Sequence, residues 1–377
     1  MSNHDLQFLE SASNLRQAVE RSQGWRPNAE QANGIAACLR QGRLFYAAGE
    51  SAPLEIRPLQ IYYGTVAFGK AVSLSMNRSV ALNSLPQRHG IKDTSAANAL
   101  LKDLSISVDS GGVFQHFNDC VASVNRLIYI GTDTSRETFR LPCTPSTGLA
   151  GLNLYLKDIF SRIPDLQSLY EATFMERAKS DTVLFSSPLL TSGAWHIRAD
   201  DPQICDDIDT LRSVVARWRT LAPFLSQWTV TNVGFAWGNT VIQFESFQHE
   251  GDDLADGVLI QNGRDFRSAF QYSDQKRFLT ITDYLDPSLG GYDESANTGV
   301  IQPIEGKFLS VYALQYLALH LLSSLVRYRP AIWMHSLSRS VSAARQADDQ
   351  MLALVERFLT TSQSMMLKLV SRIIRPD

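Results

Sequence analysis

Hydrophobic residues recur at helical spacing through the first quarter of the chain. Three stretches carry this pattern: residues 5–22, 28–48 and 59–76. The third follows Pro58, and proline suits the first turn of a helix. Lys70 is the only charged residue within 59–76. So apolar a segment predicts a helix at the centre of a bundle, with the amine at a paired or hydrated end.

From residue 104 the pattern changes to that of strands. Apolar and polar residues alternate over 104–108, and an Asp-Ser-Gly-Gly turn follows. The apolar pattern resumes at Val113-Phe114, so the segment predicts a hairpin. Further runs rich in β-branched and aromatic residues predict strands over 182–185, 194–198, 228–233, 240–247, 257–261 and 278–282. Helices are predicted over 152–160, 165–176 and 202–221. The polar residues 286–303 predict a long loop.

Helical spacing returns at the C-terminal end, over 308–326 and from about 338 to 374. The order of elements predicts an α+β fold in which N- and C-terminal helical segments pack together around a mainly β-rich middle insertion. The predicted regions are an N-terminal helical segment 1–100, a mixed middle region 101–303 and a C-terminal helical segment 304–377.

Composition bears on where the protein is located and on which partners it attracts. The net charge of −3 gives no reason to expect a whole-surface attraction to nucleic acid, although a local basic patch remains open. Four cysteines without a C-x-x-C pair fit a reducing compartment, so a cytoplasmic location is predicted. The N-terminus has no signal-peptide pattern. Residues 308–326 are long enough to span a bilayer, yet Gln315 and His320 favour a buried core helix, and no membrane association is predicted.

Common catalytic motifs are missing from the sequence. No P-loop, no G-x-G-x-x-G after a strand, no G-x-S-x-G elbow and no H-E-x-x-H zinc motif is present. The seven histidines are scattered. No metal and no cofactor are therefore predicted. The acidic pairs Asp200-Asp201 and Asp206-Asp207 are interpreted as charges that complement a helix N-terminus rather than as cation ligands.

The segment from Ser323 to His335 concentrates candidate chemistry. It reads Ser-Ser-Leu-Val-Arg-Tyr-Arg-Pro-Ala-Ile-Trp-Met-His and directly follows the most apolar helix. Pro330 disfavours helix at the residue before it, so we expect the chain to break at Arg329 and a new helix to start at Pro330. The break would place Arg329 at a helix start, with His335 about one and a half turns further on.

Several short motifs give the chain a resemblance to the YaaC-like protein family, over about residues 28–360. They are Arg57-Pro58-Leu59, Tyr62-Tyr63-Gly64, Gly69-Lys70-Ala71, His89-Gly90-Ile91, Gly112-Val113-Phe114, Ile163-Pro164-Asp165-Leu166 and the Ser-Leu-Val-Arg-Tyr-Arg-Pro-x-x-Trp run that ends at Trp333. The family is bacterial and has no general reaction assigned to it. The resemblance implies a fold and a cellular setting more than an activity.

A second resemblance is to HEPN domains, helical modules that are often ribonucleases of toxin or antiphage systems. Their hallmark is an Arg and a His separated by four to six residues, and Arg329 and His335 have five between them. The resemblance implies metal-independent RNA cleavage in a cleft between two protomers. Arg329 and His335 are accordingly the predicted catalytic residues. In this chemistry the His accepts a 2′-hydroxyl proton and the Arg stabilises the phosphorane charge.

Five further residues are predicted to bind substrate, among them aromatic rings that would stack on a base: Arg327, Tyr328, Trp333, Lys70 and His89. Four of them have a structural alternative, which for Lys70 is a purely structural lysine. Arg327 and Arg329 would cap the carbonyls of the preceding helix while Trp333 and His335 pack. His89 would lie in a solvated turn.

Two functions therefore compete at this stage, and a third, a small-molecule enzyme, stays open without a supporting motif, because a site assembled from distant residues has no local pattern. The first is an RNA-cleaving or RNA-binding effector in bacterial defence, acting as a homodimer. The second is a non-catalytic sensor or interaction scaffold, whose β-rich region recognises a ligand or a protein partner and whose 286–303 loop moves. Truncation of Arg327, Arg329 or Trp333 discriminates between them, since only the second function predicts a clear loss of thermal stability.

Overall fold

The computed structural model describes most of the chain and divides it into two units. The described residues are 3–122, 126–130, 136–140, 149–186, 194–248, 253–255, 259–269, 277–278, 289–290, 297–337 and 346–374. Unit 1 comprises Met1–Ala122, Pro145–Ala178 and Leu309–Asp377, and unit 2 comprises Ser123–Thr144 and Lys179–Phe308. Helices dominate both ends of the chain and strands its middle, which confirms the predicted α+β fold.

Helices account for most of unit 1, and one α-helix among the described residues, Ile208–Leu221, belongs to unit 2. In chain order they are α1 (Asn3–Leu9), α2 (Ala12–Gln23), α3 (Ala29–Ser51), α4 (Arg57–Met76), α5 (Val113–Ala122), α6 (Leu156–Phe160), α7 (Gln167–Phe174), α8 (Ile208–Leu221), α9 (Val311–Tyr328), α10 (Pro330–Leu337) and α11 (Gln346–Ile373). Among the described residues, none of these helices is both long and apolar enough to cross a membrane.

The strands form a small sheet in unit 1 and larger pairings in unit 2. They are β1 (Ile91–Asp93), β2 (Ser105–Val108), β3 (Arg126–Ile130), β4 (Arg136–Arg140), β5 (Asn153–Tyr155), β6 (Ser180–Ser186), β7 (His196–Asp201), β8 (Thr229–Ala236), β9 (Asn239–Glu245), β10 (Phe247–Gln248), β11 (Leu259–Asn262), β12 (Asp265–Ser268), β13 (Arg277–Phe278), β14 (Leu289–Gly290) and β15 (Asn297–Ile301). The unit 1 sheet has the order β1-β2-β5.

Helix boundaries in unit 1 follow local sequence signals. Asn28 caps α3 through a capping box, in which its side chain accepts from the Gln31 amide at 2.8 Å and its own amide donates to the Gln31 side chain at 3.0 Å. Ser310 caps α9. That helix ends at Tyr328 and α10 starts at Pro330, so the break predicted from the proline is confirmed.

Two helices at the centre of unit 1, α4 and α9, are buried along almost their whole length. Helix α3 packs against α4 at very short range. A Cβ added at Gly64 would lie 2.3 Å from the Tyr46 ring, so only glycine allows this approach. The Tyr46 hydroxyl shares a hydrogen bond of 2.9 Å with Thr65 on α4. This close packing fixes the orientation of α4, and with it the positions of Tyr62, which is buried, and of Tyr63 and Lys70, which line a cavity.

The hairpin predicted over 104–114 is wrong. Strand β2 forms, but its partners are β1 and β5, and residue 113 begins helix α5. Gly111 and Gly112 have φ of 75° and 116° and turn the chain into the helix. The first amides of α5, at Val113 and Phe114, donate to the carbonyls of Arg88 and His89 at 3.0 Å. These long-range partners replace the strand pairing that the local pattern suggested.

Unit 2 contains an antiparallel sheet whose main path runs β11-β12-β8-β9-β7-β6-β15-β14. Helix α8 buries Leu211, Val214 and Trp218 in one core with strand residues such as Ile197 and Phe244. The long loop predicted over 286–303 is wrong where it overlaps β14 and β15, because β15 pairs with β6 along its length. The loop residues 286–288 and 291–296 lie outside the described part of the chain.

Candidate functional site

One tyrosine hydroxyl in the core of unit 1 joins two histidines. The Tyr62 Oη lies 2.9 Å from Nδ1 of His89 and 2.9 Å from Nδ1 of His320. Helix α4 supplies the tyrosine, α9 supplies His320, and the segment before β1 supplies His89. The two imidazole rings lie 5.7 Å apart, centroid to centroid. We call Tyr62, His89 and His320 the His-Tyr-His chain.

A contact between two glycines holds His89 in this position. The Cα of Gly90 and the backbone of Gly112 approach so closely that a Cβ on Gly90 would lie 2.3 Å from the Gly111 carbonyl oxygen. The carbonyl of His89 accepts the Phe114 amide at 3.0 Å, at the N-terminus of α5. Two of the short family motifs, around His89 and around Phe114, therefore meet in space to fix one side chain.

Arg327 lies beside the His-Tyr-His chain. Its guanidinium carbon is 5.8 Å from the ring centroids of both Tyr62 and Tyr63, and 4.8 Å from that of Tyr328. Its Nη1 donates to the Tyr63 hydroxyl at 3.3 Å. No carboxylate of the described residues lies within ion-pair distance of this guanidinium, so its charge is met by aromatic faces, by hydroxyls and by the Ser323 carbonyl, which accepts from Nε at 3.3 Å.

Burial and nearby cations keep both imidazoles neutral. The pKa of His320 is lowered to about 3, chiefly because the ring is buried and further because His89 and Arg327 lie close to it. The pKa of His89 is lowered by burial first, then by the charges of Arg327 and Lys70. Burial raises the pKa of Tyr62, so its hydroxyl keeps its proton. At neutral pH the His-Tyr-His chain therefore carries no net charge.

Two adjacent cavities open along α3 and α4, next to the His-Tyr-His chain. The larger, of about 810 Å³, has a largely apolar wall that includes Leu44, Phe45 and Leu85. The smaller, of about 410 Å³, is lined by Tyr63 and His89 among others. Both are lined by Phe45 and Lys70, so we treat them as one site and call it the α3–α4 cavity.

Cys38 also lines the larger cavity. Burial raises the pKa of its thiol to about 11, with a smaller opposing effect from Lys70. The thiol is therefore protonated at neutral pH and is a poor nucleophile. Among the described residues, no group of three His, Cys, Asp or Glu side chains is arranged to hold a metal ion.

The structure brings together some of the sequence-predicted site residues. Lys70 and His89 line the same cavity, and Arg327 contributes to the electrostatic environment of His89. Tyr328 stacks near Arg327 and is 71% exposed. These four were predicted as substrate-binding residues, and that role stays a prediction.

The other predicted site residues lie differently. Arg329 donates to the carbonyls of Ser95 and Ala96 at 2.8 Å each and lies 3.7 Å from the Asp93 carboxylate. Trp333 is 1% exposed, so its ring is not at the surface where a stacking residue would lie. His335 is exposed near the end of α10. Catalysis by Arg329 and His335 stays a prediction.

The sequence analysis did not identify His320 as a site residue. It noted the residue only as a polar interruption that argues against a membrane span. The signal was nevertheless present, because Gln315, His320, Ser323 and Ser324 are polar positions in an otherwise apolar helix. Buried polar side chains need partners, and in α9 those partners include Tyr62 for His320 and Asp93 for Ser324.

His320 should make unit 1 less stable in acid. Its folded pKa is about 3 against an ordinary value of 6.5, so between these pH values the unfolded chain binds more protons. The free energy of unfolding should therefore fall as pH falls through this window, by up to about 1.4 kcal/mol per pH unit from this group. Urea unfolding between pH 7 and 4 measures the slope.

The matched variants for this measurement are His320→Gln and His116→Gln. The first removes the buried imidazole, so the pH profile should become flatter. The second removes an exposed histidine on α5 and should keep the wild-type slope. Equal slopes in all three proteins would mean that His320 is not neutral in the folded state.

Comparison with known proteins tests the family resemblance that the short motifs predicted. A family model described as YaaC-like Protein matches residues 2–374. No curated protein and no solved structure matched the chain. The match spans nearly the whole sequence, both units included, so the resemblance predicted from the motifs is confirmed. The chain belongs to the YaaC-like protein family.

Proposed function

We propose that unit 1 binds a small anionic ligand in the α3–α4 cavity, with Lys70 as the partner of the anion. One observation carries this proposal. Lys70 is a half-buried residue that lines both parts of the cavity, and within the described ranges no carboxylate lies within ion-pair distance of its ammonium. A half-buried cation without a counter-ion is costly, and a ligand anion would offset that cost.

The surroundings of Lys70 support an anion with an apolar or aromatic body. Arg327, for which no described carboxylate lies within ion-pair distance, acts electrostatically on His89, a residue that lines the cavity. Phe45 and Tyr63 stack at 5.6 Å with an interplanar angle of 28° and form part of the wall. Each of the two volumes, about 810 and 410 Å³, lies in the range of sites for small organic molecules, which are mostly apolar with a few polar anchors.

This proposal belongs to the sensor class rather than to the nuclease class, with the ligand in the helical unit instead of the β-rich region. The small number of cysteines supports a cytoplasmic setting. RNA cleavage by Arg329 and His335, a homodimer and a part in defence remain separate predictions. The contacts of Arg329 with two carbonyls favour a structural role for it, so we do not build the proposed function on that pair.

Replacing Lys70 should weaken binding of an anionic aromatic probe. The dye 1-anilinonaphthalene-8-sulfonate carries a sulfonate and a flat apolar body, and its fluorescence reports binding to apolar sites. We expect Lys70→Gln to raise its dissociation constant about tenfold or more, the effect of losing a charge-assisted contact worth at least about 1.4 kcal/mol. Titration of wild-type and variant protein with the dye measures the change.

Two controls separate charge from shape. N-phenyl-1-naphthylamine has a similar aromatic body without the sulfonate, so its affinity should change little in Lys70→Gln. Lys92→Gln, at an exposed position on β1, should leave the affinity for the sulfonate dye unchanged. If Lys70→Gln binds the sulfonate dye as tightly as the wild type does, the proposed anion site is wrong.

A further inference from the structure

We propose that His89 is a general base for the ligand of the α3–α4 cavity, held by Tyr62 with its Nε2 lone pair facing the cavity. The inference rests on the proposed function, because it assigns a chemical role to a residue of the same site. Tyr62 and His320 are then positioning residues, which act on the ligand only through His89.

The number of protons in the His-Tyr-His chain restricts the hydrogen bonds that it can form. The Tyr62 hydroxyl has one proton, so it can donate to the Nδ1 of only one imidazole. The other imidazole must donate its own Nδ1–H to the tyrosine oxygen, since both distances are 2.9 Å. If the Tyr62 hydroxyl donates to an imidazole, two arrangements are possible, and they differ in whether the Nε2 of His89 carries a lone pair or a proton. If the hydroxyl donates to neighbouring Tyr316 instead, both imidazoles donate Nδ1–H to the Tyr62 oxygen, and the Nε2 of His89 again carries a lone pair.

In the first arrangement, Tyr62 donates to His320 and His89 donates its Nδ1–H to Tyr62. The Nε2 of His89 then carries a lone pair, and no described residue forms a hydrogen bond with it. In the second arrangement, the order is reversed and Nε2 carries a proton. The hydrogen bond at one ring nitrogen decides whether the other nitrogen carries a proton. Tyr62 therefore determines whether the ligand meets a lone pair or an N–H at Nε2 of His89.

The cations at the site favour the first arrangement. Lys70 lines the cavity with His89, and Arg327 is the second positive charge that acts on this ring. A lone pair on Nε2 directs the negative end of the imidazole dipole toward these charges, whereas an N–H would direct its positive end there. Asp93 is the carboxylate that acts on the His-Tyr-His chain among the described residues, and its charge acts on His320 rather than on His89.

The proposed step moves one proton from the ligand to His89. A hydroxyl group of the ligand gives its proton to Nε2 of His89, and the imidazole becomes an imidazolium that keeps Nδ1–H bonded to the Tyr62 oxygen. The oxyanion left on the ligand lies near the ammonium of Lys70 and the guanidinium of Arg327, which stabilise it. His320 stays neutral, since its ring is 6% exposed and its pKa is lowered.

A general base beside Lys70 restricts the class of ligand that the cavity would bind. Lys70 and His89 line one cavity, so the anionic group and the acidic hydroxyl have to lie close together in the ligand. A hydroxy acid with an aromatic body has this arrangement, and its ring fits the apolar wall of the cavity. Titration with an aromatic hydroxy acid and with the same acid lacking the hydroxyl measures what the hydroxyl contributes to the affinity.

Nitrogen NMR on the full-length chain tests the inference without any ligand. Long-range proton–nitrogen spectra of histidine-labelled protein show which ring nitrogen carries the proton, and His89→Gln identifies the His89 signals. We expect Nδ1–H with an unprotonated Nε2 for His89 in the wild type. In Tyr62→Phe the acceptor oxygen is lost, so the ring should change to the Nε2–H form, a spectroscopic change that packing alone would not cause.

The outcomes distinguish the two proposals. An Nε2–H form of His89 in the wild type would overturn the general-base role, whatever the dye titrations of Lys70→Gln give. An unchanged Nδ1–H form in Tyr62→Phe would remove Tyr62 as the positioning residue. Since the wild-type spectrum is decisive alone, the test still holds if Tyr62→Phe fails to fold.

Discussion

Trp333→Ala should lower the free energy of unfolding of unit 1 by about 3–5 kcal/mol, the usual cost of truncating a buried tryptophan. The ring is 1% exposed, and its Nε1–H donates to the carbonyl of Glu55 at 2.8 Å. That bond ties α10 to the segment that precedes α4. The variant therefore loses both a large apolar contact and a partner for a backbone carbonyl. Urea unfolding followed by far-ultraviolet circular dichroism measures the loss.

Trp237→Ala is the matched control for this measurement. Trp237 is 96% exposed at the turn between β8 and β9, so its removal should change the free energy of unfolding by no more than about 0.5 kcal/mol. A loss below about 1 kcal/mol in Trp333→Ala would contradict the packing described for α10. It would also favour the surface stacking role that the sequence analysis predicted for Trp333.

Helices were the part of the fold that the sequence predicted best. Apolar spacing predicted α3, α4 and α9 to within a few residues at each end. These helices have local boundary signals, such as the Asn28 cap and Pro330, and a continuous apolar face. Both are properties of neighbouring residues, which a sequence displays directly.

Strand pairing was harder to predict, because partners are chosen by the whole fold. The Gly111-Gly112 pair looks like a hairpin turn, yet it leads into α5 because the Arg88 and His89 carbonyls accept the first amides of that helix. Residues 297–301 look like a loop, yet β6 pairs with them. In each case a distant segment supplies the hydrogen bonds, and nothing in the local pattern identifies that segment.

The candidate site was harder still to predict, because its residues come from distant parts of the chain. The sequence analysis chose Arg329 and His335 because they lie close together along the chain, within a known spacing. The His-Tyr-His chain joins residues 258 positions apart in its Tyr62–His320 bond. His89, Lys70 and Arg327 were each named, but only the packing of α4 against α9 shows that they share one environment. Chemistry assembled across a fold leaves no spacing for a motif search to detect.

Arg217→Met should destabilise unit 2 by about 3–5 kcal/mol, because it leaves a buried carboxylate without its cation. Asp201 on β7 is 0% exposed, and the Arg217 guanidinium on α8 donates to it from Nε at 2.9 Å and also from Nη2. The same guanidinium lies 3.4 Å from Asp181 on β6. The pair therefore links the helix to two strands of the sheet. Hydrogen exchange of β7 and β9 peptides, followed by mass spectrometry, measures the loss within unit 2.

Two further variants separate the charge from the packing of the arginine stem. Arg198→Met removes an arginine from β7 whose pair with Asp200 is exposed, and surface pairs contribute about 0–1 kcal/mol, so little change is expected. Adding Asp201→Asn to Arg217→Met should recover part of the stability, since a neutral amide needs no counter-charge. If the double variant is no more stable than Arg217→Met, the loss comes from the arginine packed over Trp218, and the ion pair is not what holds α8 to the sheet.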